Sequence, residues 1–240
     1  MKWPSWQIIK NNQKINWQIV DNPLLVAQRA CRRILQAADN AIKIHGQFQI
    51  VLAGGRTPEL TYHLLKDCHA DWSRWHIYYG DERCLPEQHE ERNSMIAAHT
   101  FLNHVAIPSH QIYPIPAHLG ASEAARRYSA VIKDILPFDL VILGIGDDGH
   151  TASLFPGKSY SKNELVHAVF QAPKPPPERV SLSATALSNT RELIFLVTGT
   201  SKRDAVSAWR RGEPRLPVTQ IQPRCQITAI LDQAAWDIAI

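Results

Sequence analysis

The residues best placed to do chemistry lie in one stretch, 138–157, which reads F-D-L-V-I-L-G-I-G-D-D-G-H-T-A-S-L-F-P-G. The apolar run 140–143 reads as a strand buried on both faces, and Gly144 and Gly146 break it. Two adjacent carboxylates follow, Asp147 and Asp148, then Gly149 and His150. An imidazole titrates near ~6.5 and can take up a proton at neutral pH. A carboxylate shortly before it can hold its tautomer and direction, the pairing that general-base chemistry needs. His150 is one of eleven histidines, and its loop rather than its type singles it out.

Three further segments share this grammar of glycine or charge beside an apolar run. Gly54-Gly55-Arg56-Thr57-Pro58 joins a strand to a helix start, where free amides and the positive dipole end suit a phosphate. The glycines let the backbone come close, and Arg56 and the Thr57 hydroxyl add donors. A plain turn with Thr57 as cap and Pro58 opening the helix satisfies the same letters. Ser201-Lys202-Arg203-Asp204 is a capping-box pattern, which accounts for Ser201 and Asp204. It leaves Lys202 as a cation in a first turn, where the dipole disfavours one; a bound anion would resolve the conflict. Gly80-Asp81-Glu82-Arg83 packs three charges at a strand end and, taken singly, reads as a solvated turn. Arg179, after three prolines and just before a strand, is a second candidate cation and equally a solvated surface arginine. Strand ends of this kind in one chain argue for a shared site.

Two competing readings use the same letters. Gly144, Gly146 and Gly149 fit the dinucleotide fingerprint G-x-G-x-x-G, but the positions facing a pyrophosphate are Asp147 and Asp148, which would repel it. The apolar run after His150 also ends by Pro156, too early for a crossover helix, and no acidic residue closes a second strand about 20 residues on. A metal site from Asp147, Asp148 and His150 lacks an H-E-x-x-H or other companion ligand pair.

The elements that must carry these loops alternate along the chain. Residues 6–10 and 15–20 read as a hairpin or two short strands around Asn11-Asn12. Asn22-Pro23 opens an amphipathic helix, with Leu24, Ala27, Cys31, Ile34, Ala38 and Ala41 at helical spacing, that runs to about Ile44 and stops before Gly46. Strands are expected at 49–53, 75–79, 140–143, 166–172, 180–184, 193–198 and 225–231, and helices at 59–66, 93–102, around 125–135 and from 201 to about 211. The segment 174–179 is a stiff Pro-rich connector. Such alternation specifies an α/β fold: a mostly parallel, Rossmann-like doubly wound sheet with helices on both faces, in a single domain.

With 240 residues the chain can bury a sizeable core without staples. A net charge of +4 and 20% charged residues, without a basic block, argue against a nucleic-acid partner. Cys31, Cys68, Cys84 and Cys225 lie far apart in sequence with no C-x-x-C, so neither zinc nor a disulfide framework is indicated. No stretch is apolar enough for a signal peptide or a membrane span, which makes the cytoplasm the expected location.

Taken together, L-A-G-G-R-T-P, Y-G-D-E-R-C-L-P with R-N-S downstream, L-G-I-G-D-D-G-H-T-A-S-L-F-P-G and R-V-S-L-S with F-L-V-T-G-T-S-K resemble the 6-phosphogluconolactonase family of the sugar-phosphate lactonase and isomerase superfamily. The blocks stand in the family's order from about residue 20 to 212. Arg56 stands where relatives often have serine, and Cys84 where an aromatic is common. The resemblance implies a single domain over 1–240, a monomer or weak homodimer, that hydrolyses 6-phospho-D-glucono-1,5-lactone to 6-phosphogluconate without metal or organic cofactor. It implies His150 as general base, Asp148 as its neighbour, Arg83 as the cation at the reacting end, and Gly54, Gly55, Arg56, Thr57, Arg179 and Lys202 around the phosphate. Amino-sugar-phosphate deaminases of the superfamily carry a glutamate soon after D-G-H, and no acid lies between His150 and Gly157 here. A sugar-phosphate-sensing module would need a DNA-binding segment before the α/β core, where this chain has about twenty strand-like residues.

Overall fold

Every residue of Phe48–Leu52 and Phe138–Leu143 is buried, as strands covered by helices on both faces must be. The structure, a computed structural model, describes residues 15–236; the expected strand at 6–10 lies outside them. The strands are β1 (Ile15–Val20), β2 (Phe48–Leu52), β3 (Trp75–Tyr79), β4 (Asp81–Arg83), β5 (Phe138–Leu143), β6 (Val166–Val169), β7 (Arg179–Leu182), β8 (Thr190–Val197) and β9 (Ile227–Asp232). The helices are α1 (Pro23–His45), α2 (Arg56–Leu65), α3 (Asn93–Thr100), α4 (Ala121–Ile132), α5 (Ala184–Ser188), α6 (Arg203–Arg210), α7 (Pro217–Gln220) and α8 (Gln233–Trp236).

The main sheet has six strands in the order β1-β9-β8-β5-β2-β3, and all its pairings are parallel. From β2 the chain builds outward to β3, then returns to add β5, β8 and β9 on the other side. The order therefore reverses between β2 and β5, and ligands of open α/β sheets bind at the carboxyl ends of strands at such a point. The loops after β2, β5 and β8 leave from neighbouring strands there.

The helices begin and end largely where local chemistry sets them. The Asn22 side chain accepts the Leu25 N–H at 3.0 Å, Pro23 opens α1, and Gly46 closes it at φ 84°. Val26, Ala30, Ile34 and Ala38 of α1 face the core. Tyr62 of α2, fully buried, uses its hydroxyl both to donate to the Ala53 carbonyl and to accept the Ala53 N–H, each at 2.9 Å. That double bond to the end of β2 holds the glycine turn against its helix. Two expectations fail nearby. Thr57 does not cap α2: Gly55, at φ 106°, precedes the helix without a side-chain cap, and the Thr57 hydroxyl bonds that of Thr198 at 2.7 Å. Ser201 caps nothing either, because residues 200–202 form a 3₁₀ turn after Gly199 and α6 starts only at Arg203.

A second sheet, β4-β7-β6, is antiparallel and was not expected. Residues 81–83 are all charged, so no apolar alternation marks them as a strand; β7 imposes the extended state by pairing Asp81 with Ser181 and Arg83 with Arg179. The Pro-rich connector is the link between β6 and β7. Val166, Val180 and Leu182 of this sheet join the same apolar core as the main sheet. No helix of the described residues is long and apolar enough to cross a membrane.

Candidate active site

The loops after β2, β5 and β8 and one edge of the small sheet enclose a cavity of about 200 Å³. His150 reaches it from a tight turn after β5, in which the Gly146 N–H donates to the His150 carbonyl at 2.8 Å and Gly149 takes φ 83°. Asp148 Oδ1 lies 2.5 Å from His150 Nδ1 and also accepts the His150 N–H at 3.1 Å. The ring leans on Phe155, centroids 4.9 Å apart. With Nδ1 engaged, Nε2 has no hydrogen-bond partner among the described residues. Burial draws the imidazole below its ordinary pKa, and the neighbouring Asp148 offsets this only in part. Asp148 feels the same burial in the opposite sense, but the His150 amide and ring outweigh it and hold the carboxyl below its usual range. The result at neutral pH is an ionised carboxylate holding a neutral imidazole, a proton acceptor aimed by a fixed partner.

Gly146 is what makes room for this ring. A Cβ there would stand 2.0 Å from His150 Nδ1 and 2.6 Å from Asp148 Oδ1. Gly54 plays the same part opposite: a Cβ on it would meet Asn93 Oδ1 at 2.1 Å. Beside it the backbone of Gly54 and Gly55, which leads into the uncapped start of α2, lines the cavity. Lys202 closes this side; burial lowers its pKa, with Asp147 pulling it back. Arg83 and Arg179, register partners on neighbouring strands, supply two guanidinium groups to the same cavity. Burial and then Arg83 depress the Arg179 pKa, while Asp81 supports its charge. An anion in this cavity is therefore offered an ammonium and two guanidinium groups, with a base on the same wall.

The family model for glucosamine-6-phosphate isomerases/6-phosphogluconolactonase matches residues 21–230. The chain belongs to this family. A 6-phosphogluconolactonase of Mycobacterium tuberculosis is 39% identical to it over 204 residues, 78% of this chain and 82% of that one. Solved 6-phosphogluconolactonases of Thermotoga maritima and Trypanosoma brucei share the fold with TM-scores of 0.85 and 0.83 at 25% identity. The alignments span 92% and 93% of this chain, and 100% and 98% of those.

In this glucosamine-6-phosphate isomerase/6-phosphogluconolactonase chain the expected site residues divide. Gly54, Gly55, Arg83, His150, Arg179 and Lys202 line one cavity, with Asp148 behind His150. Arg56 is exposed and Thr57 buried, and neither lines it. Arg179 is not a solvated surface arginine: it is 7% exposed, and its guanidinium donates to the carbonyls of Lys174, Pro175 and Pro176. It thereby clasps the Pro-rich connector to the cavity wall.

Asp81 and Asn93, read only as part of the G-D-E-R and R-N-S segments and not as site residues, also line the cavity. Asp81 accepts from the Asn93 amide at 3.0 Å and from the Ser153 hydroxyl at 2.6 Å. Beneath them Glu82, with no exposed surface, accepts the N–H groups of Arg83, Asn93 and Ser94 at 2.9, 2.7 and 2.9 Å. It caps α3 from a distant strand, 3.6 Å from the buried Arg92 guanidinium. The available signal was R-N-S following G-D-E-R, a cation and an amide placed to neutralise charges that the fold was going to bury. Asp147, Asp148 and His150 also stand close enough to ligate a cation, their donor atoms within 4.8 Å of one another. Asp148 Oδ1 and His150 Nδ1 are bonded to each other, however, and Asp147 pairs with Lys174. A larger groove of about 1000 Å³ runs past the start of β8 at Thr190 and holds none of the expected site residues.

Proposed function

We infer that this chain is a 6-phosphogluconolactonase, hydrolysing 6-phospho-D-glucono-1,5-lactone to 6-phospho-D-gluconate, with His150 as general base. The observation that carries the residue assignment is the imidazole pinned at Nδ1 with Nε2 free beside a cavity lined by Arg83, Arg179 and Lys202. In the proposed reaction Nε2 takes a proton from water as the oxygen attacks the lactone carbonyl. Arg83 steadies the oxyanion of the tetrahedral intermediate. The intermediate collapses by breaking the bond to the ring oxygen, which takes up from the imidazolium the proton drawn from water, leaving an open-chain acid that ionises. A lactone carbonyl is already electrophilic, so a positioned base, a donor for the oxyanion and an anchor suffice. The Gly54-Gly55 backbone, Lys202 and Arg179 hold the phosphate, which supplies orientation and remote binding energy.

Initial rates with the phospholactone, its unphosphorylated analogue and glucosamine 6-phosphate test this reading directly. The phospholactone is expected to be hydrolysed far above its spontaneous rate, the analogue with a much raised KM, and glucosamine 6-phosphate not deaminated. Lys202→Ala should raise KM for the phospholactone chiefly, leaving the slow reaction of the analogue unchanged. Comparable rates on both lactones would remove the phosphate anchor, and deamination would move the chain to the other branch of its family.

The glycine beneath the ring gives a second check. Gly146→Ala has no room for its Cβ without pushing the imidazole off Asp148, and a misplacement of about 1 Å can cost ~10²-fold in rate. A fall in kcat of that order is expected, with binding of 6-phosphogluconate retained; unchanged kcat would mean that the ring position is immaterial.

A further inference from the structure

α1 presents Cys31 on its buried face, and Cys68 follows the end of α2, its N–H bonded to the Leu65 carbonyl at 3.0 Å. Separated by 37 positions in sequence, their sulfurs lie 3.7 Å apart as free thiols. Cys68 Sγ is also 3.3 Å from the carbonyl oxygen of Leu64, which can only accept. Each thiol has a single proton, so Cys68 donates to Leu64 and the contact between sulfurs is donated by Cys31. The chain thus runs from the Cys31 thiol to Cys68 Sγ, and from the Cys68 thiol to Leu64.

This arrangement gives the two cysteines different parts. Cys31 is 6% exposed, whereas Cys68 is half-buried and open to small solutes. The hydrogen bond from Cys31 falls on the Cys68 sulfur itself. Burial, together with Cys68, pushes the Cys31 thiol up to about 12, so it stays the donor. A disulfide needs sulfurs at about 2.05 Å, a shift of under ~1 Å for each from the observed contact. Cys84, raised to about 11 by burial, and Cys225, also raised by burial, make no thiol–thiol bond among the described residues.

We propose that Cys31 and Cys68 form a reversible oxidation site at the junction of α1 and α2, with Cys68 the peroxide-reactive thiol and Cys31 the resolving one. The Cys68 thiolate attacks one oxygen of a hydroperoxide and breaks the O–O bond, leaving a sulfenic acid and releasing water or an alcohol. Cys31 then attacks that sulfur, the S–O bond breaks, and a second water leaves as the disulfide forms. Two thiols are oxidised by two electrons and one peroxide is reduced. A thiol reductant reverses the step by exchange. The product cross-links α1 to the segment just beyond α2, the helix that follows the Gly54-Gly55 wall of the cavity.

The test treats the full chain with hydrogen peroxide, then counts thiols after denaturation and maps the peptides by mass. Two of the four thiols should disappear, the intact mass should fall by about 2 Da, and Cys31 and Cys68 should appear in one cross-linked peptide that dithiothreitol separates. In Cys31→Ser, dimedone should trap a sulfenic acid at Cys68. In Cys68→Ser, Cys31 should stay reduced over the same exposure; this variant and the wild type decide the matter if Cys31→Ser does not fold. Survival of all four thiols, earlier oxidation of Cys84 or Cys225, a disulfide between two chains, or equally fast oxidation of Cys31 in Cys68→Ser would each overturn the proposal.

Discussion

His150→Ala is expected to lose roughly 10²–10⁴-fold in kcat, the usual contribution of a positioned general base. Its affinity for 6-phosphogluconate should stay within about a factor of three, because the Gly54-Gly55 backbone, Lys202 and the two arginines remain. The split matters more than the size, since a structural histidine would lower both together. The pH dependence carries the same claim. Burial lowers the His150 pKa and Asp148 restores part of it, so the neutral, proton-accepting form persists below the ordinary ~6.5 and is lost only as pH falls through the depressed value. The acid limb of kcat/KM should therefore lie below ~6.5. The substrate phosphate also titrates near ~6, which obscures a single profile. The comparison with Asp148→Asn removes that ambiguity, because the substrate is common to both. Removing the carboxylate takes away the group that stabilises the imidazolium, so the variant's limb should move to still lower pH while kcat drops. A limb that stays in place, or a variant with full kcat, would detach Asp148 from the imidazole's function.

The second large effect concerns the frame of the site rather than its reacting groups. Glu82→Ala orphans the N–H groups of Arg83, Asn93 and Ser94 at one stroke and leaves the Arg92 guanidinium, 2% exposed, without its carboxylate. Breaking a buried ion pair by removing one partner costs about 3–5 kcal/mol. For a chain of this size that corresponds to a fall in Tm on the order of 10 °C. Arg83 and Asn93 line the cavity, so turnover should fall as well. The control is Glu123→Ala, which removes a carboxylate bound by Arg126 and Arg127 on the solvent face of α4. Salt screens exposed pairs of that kind, and its Tm should not move measurably. Equal unfolding temperatures for the two variants would show that the buried network is not what holds β4 against α3.

What could be read from sequence was what short-range pattern carries. The fully apolar runs of β2 and β5, the helical spacing of Leu24 through Ala41, and Asn22-Pro23 with Gly46 at the ends of α1 depend on neighbours a few residues away. So does the glycine turn that carries Asp148 and His150, and these were legible. The grouping of strand ends also followed, because parallel strands put their carboxyl ends, and hence their loops, on one side of the sheet. What only the tertiary structure decided depended on partners far along the chain. Asp81-Glu82-Arg83 became a strand because β7 paired with it, and Glu82 could be buried because Arg92 and three backbone amides of Arg83, Asn93 and Ser94 met it. Thr57 looked like a cap until Thr198 took its hydroxyl, and Arg179 looked solvated until three carbonyls of the connector enclosed it. Cys31 and Cys68 came into contact only through the packing of α1 on α2. Burial of a charge or a hydroxyl is set by which groups desolvate it and which satisfy it, and those groups are chosen by the fold, not by the adjacent residues.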